Sequence, residues 1–97
     1  MYARVARWEG AEGDALRRSV EGITSRAASG PPEGVRAKGL LMLIDPDSGR
    51  SLAVALFETE DDLRQGDEAL NAMDPSGGDV GKRTSVETYE VAVDIRV

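Results

Sequence analysis

Apolar residues recur along the chain with two different periods, and the switches between them mark the elements. "YARVARW" (2–8) alternates in the manner of a half-buried strand. "EGAEGD" interrupts it, and from Asp14 onward Leu16, Val20, Ile23 and Ala27 recur at helical spacing to form one stripe. "SGPP" (29–32) stops that helix, because proline cannot continue it. "VRAKGLLMLI" (35–44) predicts a second strand and "SLAVALF" (51–57) a third. The turn residues "DPDSGR" (45–50) between them make the connection short enough for an antiparallel hairpin. In "ETEDDLRQGDEALNAM" Thr59 is the expected N-cap, with Asp62 three residues on, and Leu63, Gly66, Leu70 and Met73 line one helix face. "DPSGGDVGK" ends this helix in a loop. A final strand is predicted over 84–97, with Tyr89, Val91, Val93, Ile95 and Val97 on a core face and Thr88, Glu90, Ala92, Asp94 and Arg96 on a mixed one.

The order βαββαβ predicts an α+β class, ferredoxin-like fold. Right-handed crossovers place both helices on one face of a four-stranded antiparallel sheet, with strand order 4-1-3-2. "SLAVALF" is apolar on both faces, as a central strand covered on both sides should be. The other side of the sheet has no cover within the chain. It is expected to carry one set of strand 3, the mixed face of strand 4, and Tyr2, Arg4, Ala6 and Trp8 from strand 1. So much apolar surface is unusual on a soluble monomer. The expected partner is therefore a second copy packed face to face, with Arg4 pairing to Glu90 or Asp94.

Size agrees with that expectation. Ninety-seven residues make one domain, 1–97. A chain of this length buries only about 60–65% of its unfolded surface, and association adds to that. Aromatic residues are 4% of the total, so aliphatic packing carries the core. The net charge of −6, with Lys and Arg dispersed, argues against nucleic acid. There is no cysteine and no histidine. That removes a disulfide framework, a thiolate nucleophile, a His general base and a proximal His for haem. The longest apolar run, "GLLMLI", falls far short of the roughly 20 residues that span a membrane. A cytoplasmic protein with no membrane contact and no cofactor is expected.

"ARVARWEG", "GLLMLIDPDSGRSLAVALFETEDDLRQGDEALNAM" and "SVETYEVAV" together resemble the dimeric α+β barrel superfamily, and within it the small antibiotic-biosynthesis-monooxygenase-like proteins. The resemblance implies that two protomers pair their sheets into a barrel, with a ligand between sheet and helices. It also implies two functional expectations. One is a cofactor-independent monooxygenase-like protein acting on a small aromatic or polyphenolic molecule, by orienting it and supplying a donor to its oxyanion. The other is a non-catalytic dimeric module that binds a small hydrophobic or aromatic ligand or only assembles. The haem-degrading branch uses an axial His, which this chain lacks.

The candidate ligand-binding residues are Arg4, Trp8, Tyr2, Met42 and Phe57. Trp8 offers a flat wall for an aromatic ligand, though packing at the barrel rim or the dimer seam is the commoner role of such a residue. Arg4 would hold an anionic or phenolate oxygen, or form a cross-strand ion pair. Tyr2 could donate a proton to a substrate oxygen, whereas Tyr89 shares an apolar face and reads as packing. Met42 and Phe57 suit a pocket lining and a core alike. Glu58, Glu60, Asp61 and Asp62 cluster at a helix N-terminus, where negative charge is favourable without any metal. "SGGDVGKRT" is similar to a phosphate-binding loop, but Ser76 and Arg83 stand where that pattern needs Gly and Ser or Thr. No catalytic residue is assigned.

Overall fold

The computed structural model describes residues 1–11, 13–27, 30, 34–72 and 81–96, apart from the side chains of Ile23, Arg26 and Ala27. Alternation in the first segment gives β1 (Tyr2–Gly10), followed by α1 (Gly13–Ala27). The hairpin is β2 (Gly39–Asp45) and β3 (Arg50–Phe57), then α2 (Glu60–Ala72) and β4 (Gly81–Glu90). The sheet order is β2-β3-β1-β4, with every neighbouring pair antiparallel, which is the ferredoxin-like arrangement expected from the element order. Met73 and most of the loop that resembles a phosphate-binding sequence lie outside the described residues. Gly81 to Thr84, its last part, belong to β4.

Local chemistry explains the element ends. Thr59 Oγ1 accepts the Asp62 N–H at 3.1 Å and caps α2, as its sequence position predicts. The hairpin turn is closed by the Gly49 N–H on the Asp45 carbonyl, and an ion pair of 2.9 Å joins Arg50 to the Asp45 carboxylate. The turn also docks on the start of the first crossover, where Gly10 and Gly13 donate to the Gly49 and Pro46 carbonyls. Gly81 is held at φ 86°, and a Cβ there would collide with the Glu9 carbonyl, so only glycine opens β4.

One apolar cluster ties α2 to the sheet: Val35, Ala55, Phe57 and Leu63 are buried, with Tyr2, Ala37, Ala69 and Leu70 packed around them. Phe57 is fully enclosed. Its ring occupies the space above Gly66, where an added Cβ would lie 2.5 Å from Cε1 and Cζ. Gly66 thus costs helix propensity but lets α2 lie on the ring. Leu16 of α1 is also fully buried and Val20 partly so, while the other two members of the predicted stripe, Ile23 and Ala27, lie outside the described side chains.

Three expectations are corrected. The faces of β1 are the reverse of the prediction: Arg4 and Ala6 are buried, and Arg4 reaches α2, so Tyr2, Arg4, Ala6 and Trp8 face the helices. Directly paired residues share a face. The register therefore puts Phe57, Ala55 and Ala53 of β3, and Glu90, Thr88 and Val86 of β4, on the helix side as well. The helix-free face carries Ala3 and Val5, Leu52, Val54 and Leu56, Leu41 and Leu43, with Glu87 and Tyr89. Secondly, Arg4 pairs with Asp67 and not with Glu90 or Asp94. Thirdly, the last strand stops at Glu90. Val91 still donates to the Met1 carbonyl at 2.9 Å, but 91–96 then run on without a ladder partner among the described residues. Val93 and Ile95 are 73% and 79% exposed, so they form no core face within the protomer.

Gly66→Ala is expected to lower stability. The methyl gains about 1 kcal/mol of helix propensity against roughly 1–3 kcal/mol of overpacking on an enclosed ring. Urea unfolding of the four members of a double-mutant cycle checks this: Phe57→Leu should cost less in the Gly66→Ala background than in the wild type.

Candidate functional site

Two concave regions among the described residues bear on function, one between α2 and β4 and one at the hairpin end of the sheet. Asp67 and Asn71 are one helical turn apart on α2 and project toward β1 and β4. Arg4, only 5% exposed, reaches them from β1: its Nε donates to Asp67 Oδ1 at 2.8 Å and its Nη2 to Asn71 Oδ1 at 3.0 Å. Arg83 of β4 donates from Nη1 to the same Asn71 oxygen at 2.9 Å. Two guanidinium groups thus converge on one neutral amide oxygen, with one carboxylate beside them. The cleft they border holds about 610 Å³ and is completed by Thr84, Ser85, Val86 and Thr88. Its wall is rich in N–H and O–H donors, the chemistry that receives an oxyanion.

A second depression, of about 340 Å³, opens at the hairpin end of the sheet. Its lining comes from both faces at the end of the sheet, with Trp8 and Ile44 from the helix side, Leu43 and Leu52 from the other, and the polar Arg7, Asp45 and Arg50 beside them. An extra residue in β4, where the register shifts opposite Arg7 and Trp8, bends the strand here and brings Thr84 into both regions. The Arg50 guanidinium holds the Asp45 carboxyl below its ordinary value, chiefly through their hydrogen bond.

The five residues singled out in the sequence are not gathered in one place. Arg4 backs the α2–β4 cleft, and Trp8 lies in the hairpin-end depression. Tyr2 packs on the core cluster, Phe57 is its fully enclosed centre, and Met42 is half-buried on the helix-facing side of β2. Asp67, Asn71 and Arg83 carry the polar network and were not singled out. A polar pair four residues apart beside the stripe of Leu63, Gly66 and Leu70 was their one local sign.

On the helix-free face a smaller network joins Arg7, Glu87 and Tyr89. Arg7 Nε donates to Glu87 Oε1 at 3.2 Å, and the Tyr89 hydroxyl donates to the other Glu87 oxygen. The Tyr89 hydrogen bond, and then that of Arg7, hold the Glu87 carboxyl below its ordinary value. The same bond to Glu87 raises the Tyr89 phenol above its own.

No protein-family model matches the sequence. No curated protein matches it either. Among solved structures, the fold is similar to that of a MhuD mutant crystallised with two manganese protoporphyrin IX bound per active site. The identity is 14%, the TM-score is 0.63, and the match covers all of both chains. The likeness shows the fold alone: the chain shares the α+β architecture of that protein, in keeping with the fold that the sequence resemblance implied. No helix among the described residues is long and apolar enough to cross a membrane.

The Glu87–Tyr89 pair sets a pH window. Glu87's depressed pKa contributes stability above its ordinary value of 4.5 that is lost as pH falls through the lowered folded value. Tyr89's raised pKa contributes stability below 10.0 that is lost as pH rises through the raised folded value. The expected outcome is a flat melting-temperature advantage of wild type over Tyr89→Phe between those limits, shrinking on both sides. Tyrosinate absorbance should show one phenol titrating late, and the late step should vanish in Tyr89→Phe.

Proposed function

We propose that the protein is a homodimer of the α+β barrel type that binds a small molecule between α2 and the sheet. The observation that carries the binding reading is the convergence of Arg4 and Arg83 on Asn71 in an open cleft. A buried ion pair stabilises a fold poorly, because desolvation offsets its attraction. An arrangement of this kind has more value as a fixed array of donors than as packing. The dimer reading is supported by the helix-free face, where Leu41 and Leu43 are 55% and 50% exposed beside Leu52, Val54 and Leu56. A second copy is the natural cover for such a surface.

A second reading, cofactor-independent oxygenation of an electron-rich phenol, is supported by the same donors. They would stabilise a phenolate, whose own electrons reduce oxygen so that one oxygen atom enters the ring and the other leaves as water. Haem does not fit this cleft. The chain has no histidine or cysteine, and the described residues bordering the cleft offer no methionine or tyrosine as axial ligand. The described donor set therefore gives no support for porphyrin binding of the kind seen in the MhuD mutant.

Sedimentation equilibrium at micromolar concentration is expected to give a dimer. Val54→Lys, which sets a charge in the middle of the helix-free face, should give a folded monomer by circular dichroism. A wild-type monomer would refute the dimer. A thermal-shift screen with phenols, quinols and small organic acids should return ligands, and oxygen uptake on each ligand separates oxygenation from simple binding.

A further inference from the structure

The described side chains of the α2–β4 cleft carry more positive than negative charge. Among the described residues, Arg83, Arg4 and Asp67 are the charged groups of the network, two cations against one anion. Both guanidinium groups spend a hydrogen bond on the same Asn71 Oδ1, at 2.9 and 3.0 Å, and that oxygen carries only a partial charge. Because the amide oxygen faces the arginines, the Asn71 amide nitrogen is left as a further donor. Arg83 projects from an edge strand and is partly exposed, so its remaining N–H groups are accessible, whereas Arg4 is sealed behind it. Asp67 already shows how a carboxylate docks on this network, through a 2.8 Å contact with the Arg4 Nε.

We propose that the cleft is an acid-recognising subsite, in which Arg83, seated with Arg4 on the Asn71 amide oxygen, takes the carboxylate of a small organic acid. This deepens the small-molecule reading above and rests on it. One negative charge restores neutrality, and a planar carboxylate matches the guanidinium fork in two parallel hydrogen bonds. A doubly charged phosphate would overshoot the single excess cation among the described residues. The cleft's wall contains one aliphatic side chain, Val86, among hydroxyl, amide and charged groups, so the body of the acid meets polar contacts there.

Asn71→Asp is the most direct test. Aspartate keeps an acceptor oxygen for both arginines and places in the protein the charge that the ligand would bring. Isothermal titration with salicylate, its neutral amide salicylamide, and inorganic phosphate reads the selection. The expected result is that salicylate binds at least tenfold more tightly than salicylamide and more tightly than phosphate. Asn71→Asp should raise the melting temperature of the unliganded protein and weaken salicylate at least tenfold. Arg83→Gln should weaken salicylate similarly while leaving the unliganded melting temperature near wild type. If salicylamide binds as well as salicylate, or phosphate binds better, the acid inference falls while the small-molecule reading stands. If no compound in the wider panel binds, both fall. Unchanged salicylate affinity in Asn71→Asp also overturns the inference.

Discussion

Arg4 donates from beneath α2 to Asp67 and Asn71, and that contact decides the orientation of the entire sheet. A strand has two faces and a period of two, so fixing one side chain fixes all the others on it. β1 pairs with both β3 and β4, so its orientation passes through the register to its two neighbours, and from β3 to β2. With Arg4 turned to the helices, Leu52, Val54 and Leu56 turn away from them, and so do Leu41 and Leu43. A shift of one residue would exchange the two sets and take Arg4 away from Asp67 and Asn71. The buried guanidinium has little net effect on stability, but it makes the alternative orientation expensive.

The same constraint accounts for where sequence reading succeeds and fails. The element order, the hairpin, the Thr59 cap and the strand order follow from local patterns: periods of two and 3.6, turn residues, and the handedness of crossovers. The orientation of β1 does not. Its even set (Tyr2, Arg4, Ala6, Trp8) and its odd set (Ala3, Val5, Arg7, Glu9) each mix apolar and charged residues, so amphipathicity does not choose between them. What settles it is a partner 63 residues away along the chain. The tail shows the converse error. "EVAVDIRV" alternates as a strand should, but alternation reports a tendency to pair and not the presence of a partner, and the ladder ends near Met1. Gly66 was legible only in part: its cost in a helix was visible, whereas the Phe57 ring that requires it comes from another element.

The two sides of the sheet divide the tasks of a small protein. The helix side holds the apolar cluster around Phe57 and, next to it, the polar network that borders the α2–β4 cleft. The opposite side holds aliphatic side chains that the protomer alone leaves half-covered. A chain of 97 residues has little interior to spare, and a polar network taken into it displaces apolar contacts. Association through the leucine-rich face would return buried apolar area from the other side, so the cost of one face is offset on the other. The reading of a ligand site and the reading of a dimer are in this sense linked by the same shortage of core.

The polar network also has an internal logic that packing does not explain. If Arg4 served only to hold α2 on the sheet, Asp67 would be sufficient, since the pair is neutral and 2.8 Å apart. Among the described residues, Asn71 and Arg83 add a second cation and no second anion. Like charges gathered on one oxygen repel, and the repulsion is strongest where water is partly excluded. A fold that needed only rigidity would gain from an acidic residue at position 71, where the helix geometry already allows one. Asparagine there holds both guanidinium groups in place without neutralising them, which is the arrangement that the proposed acid would complete.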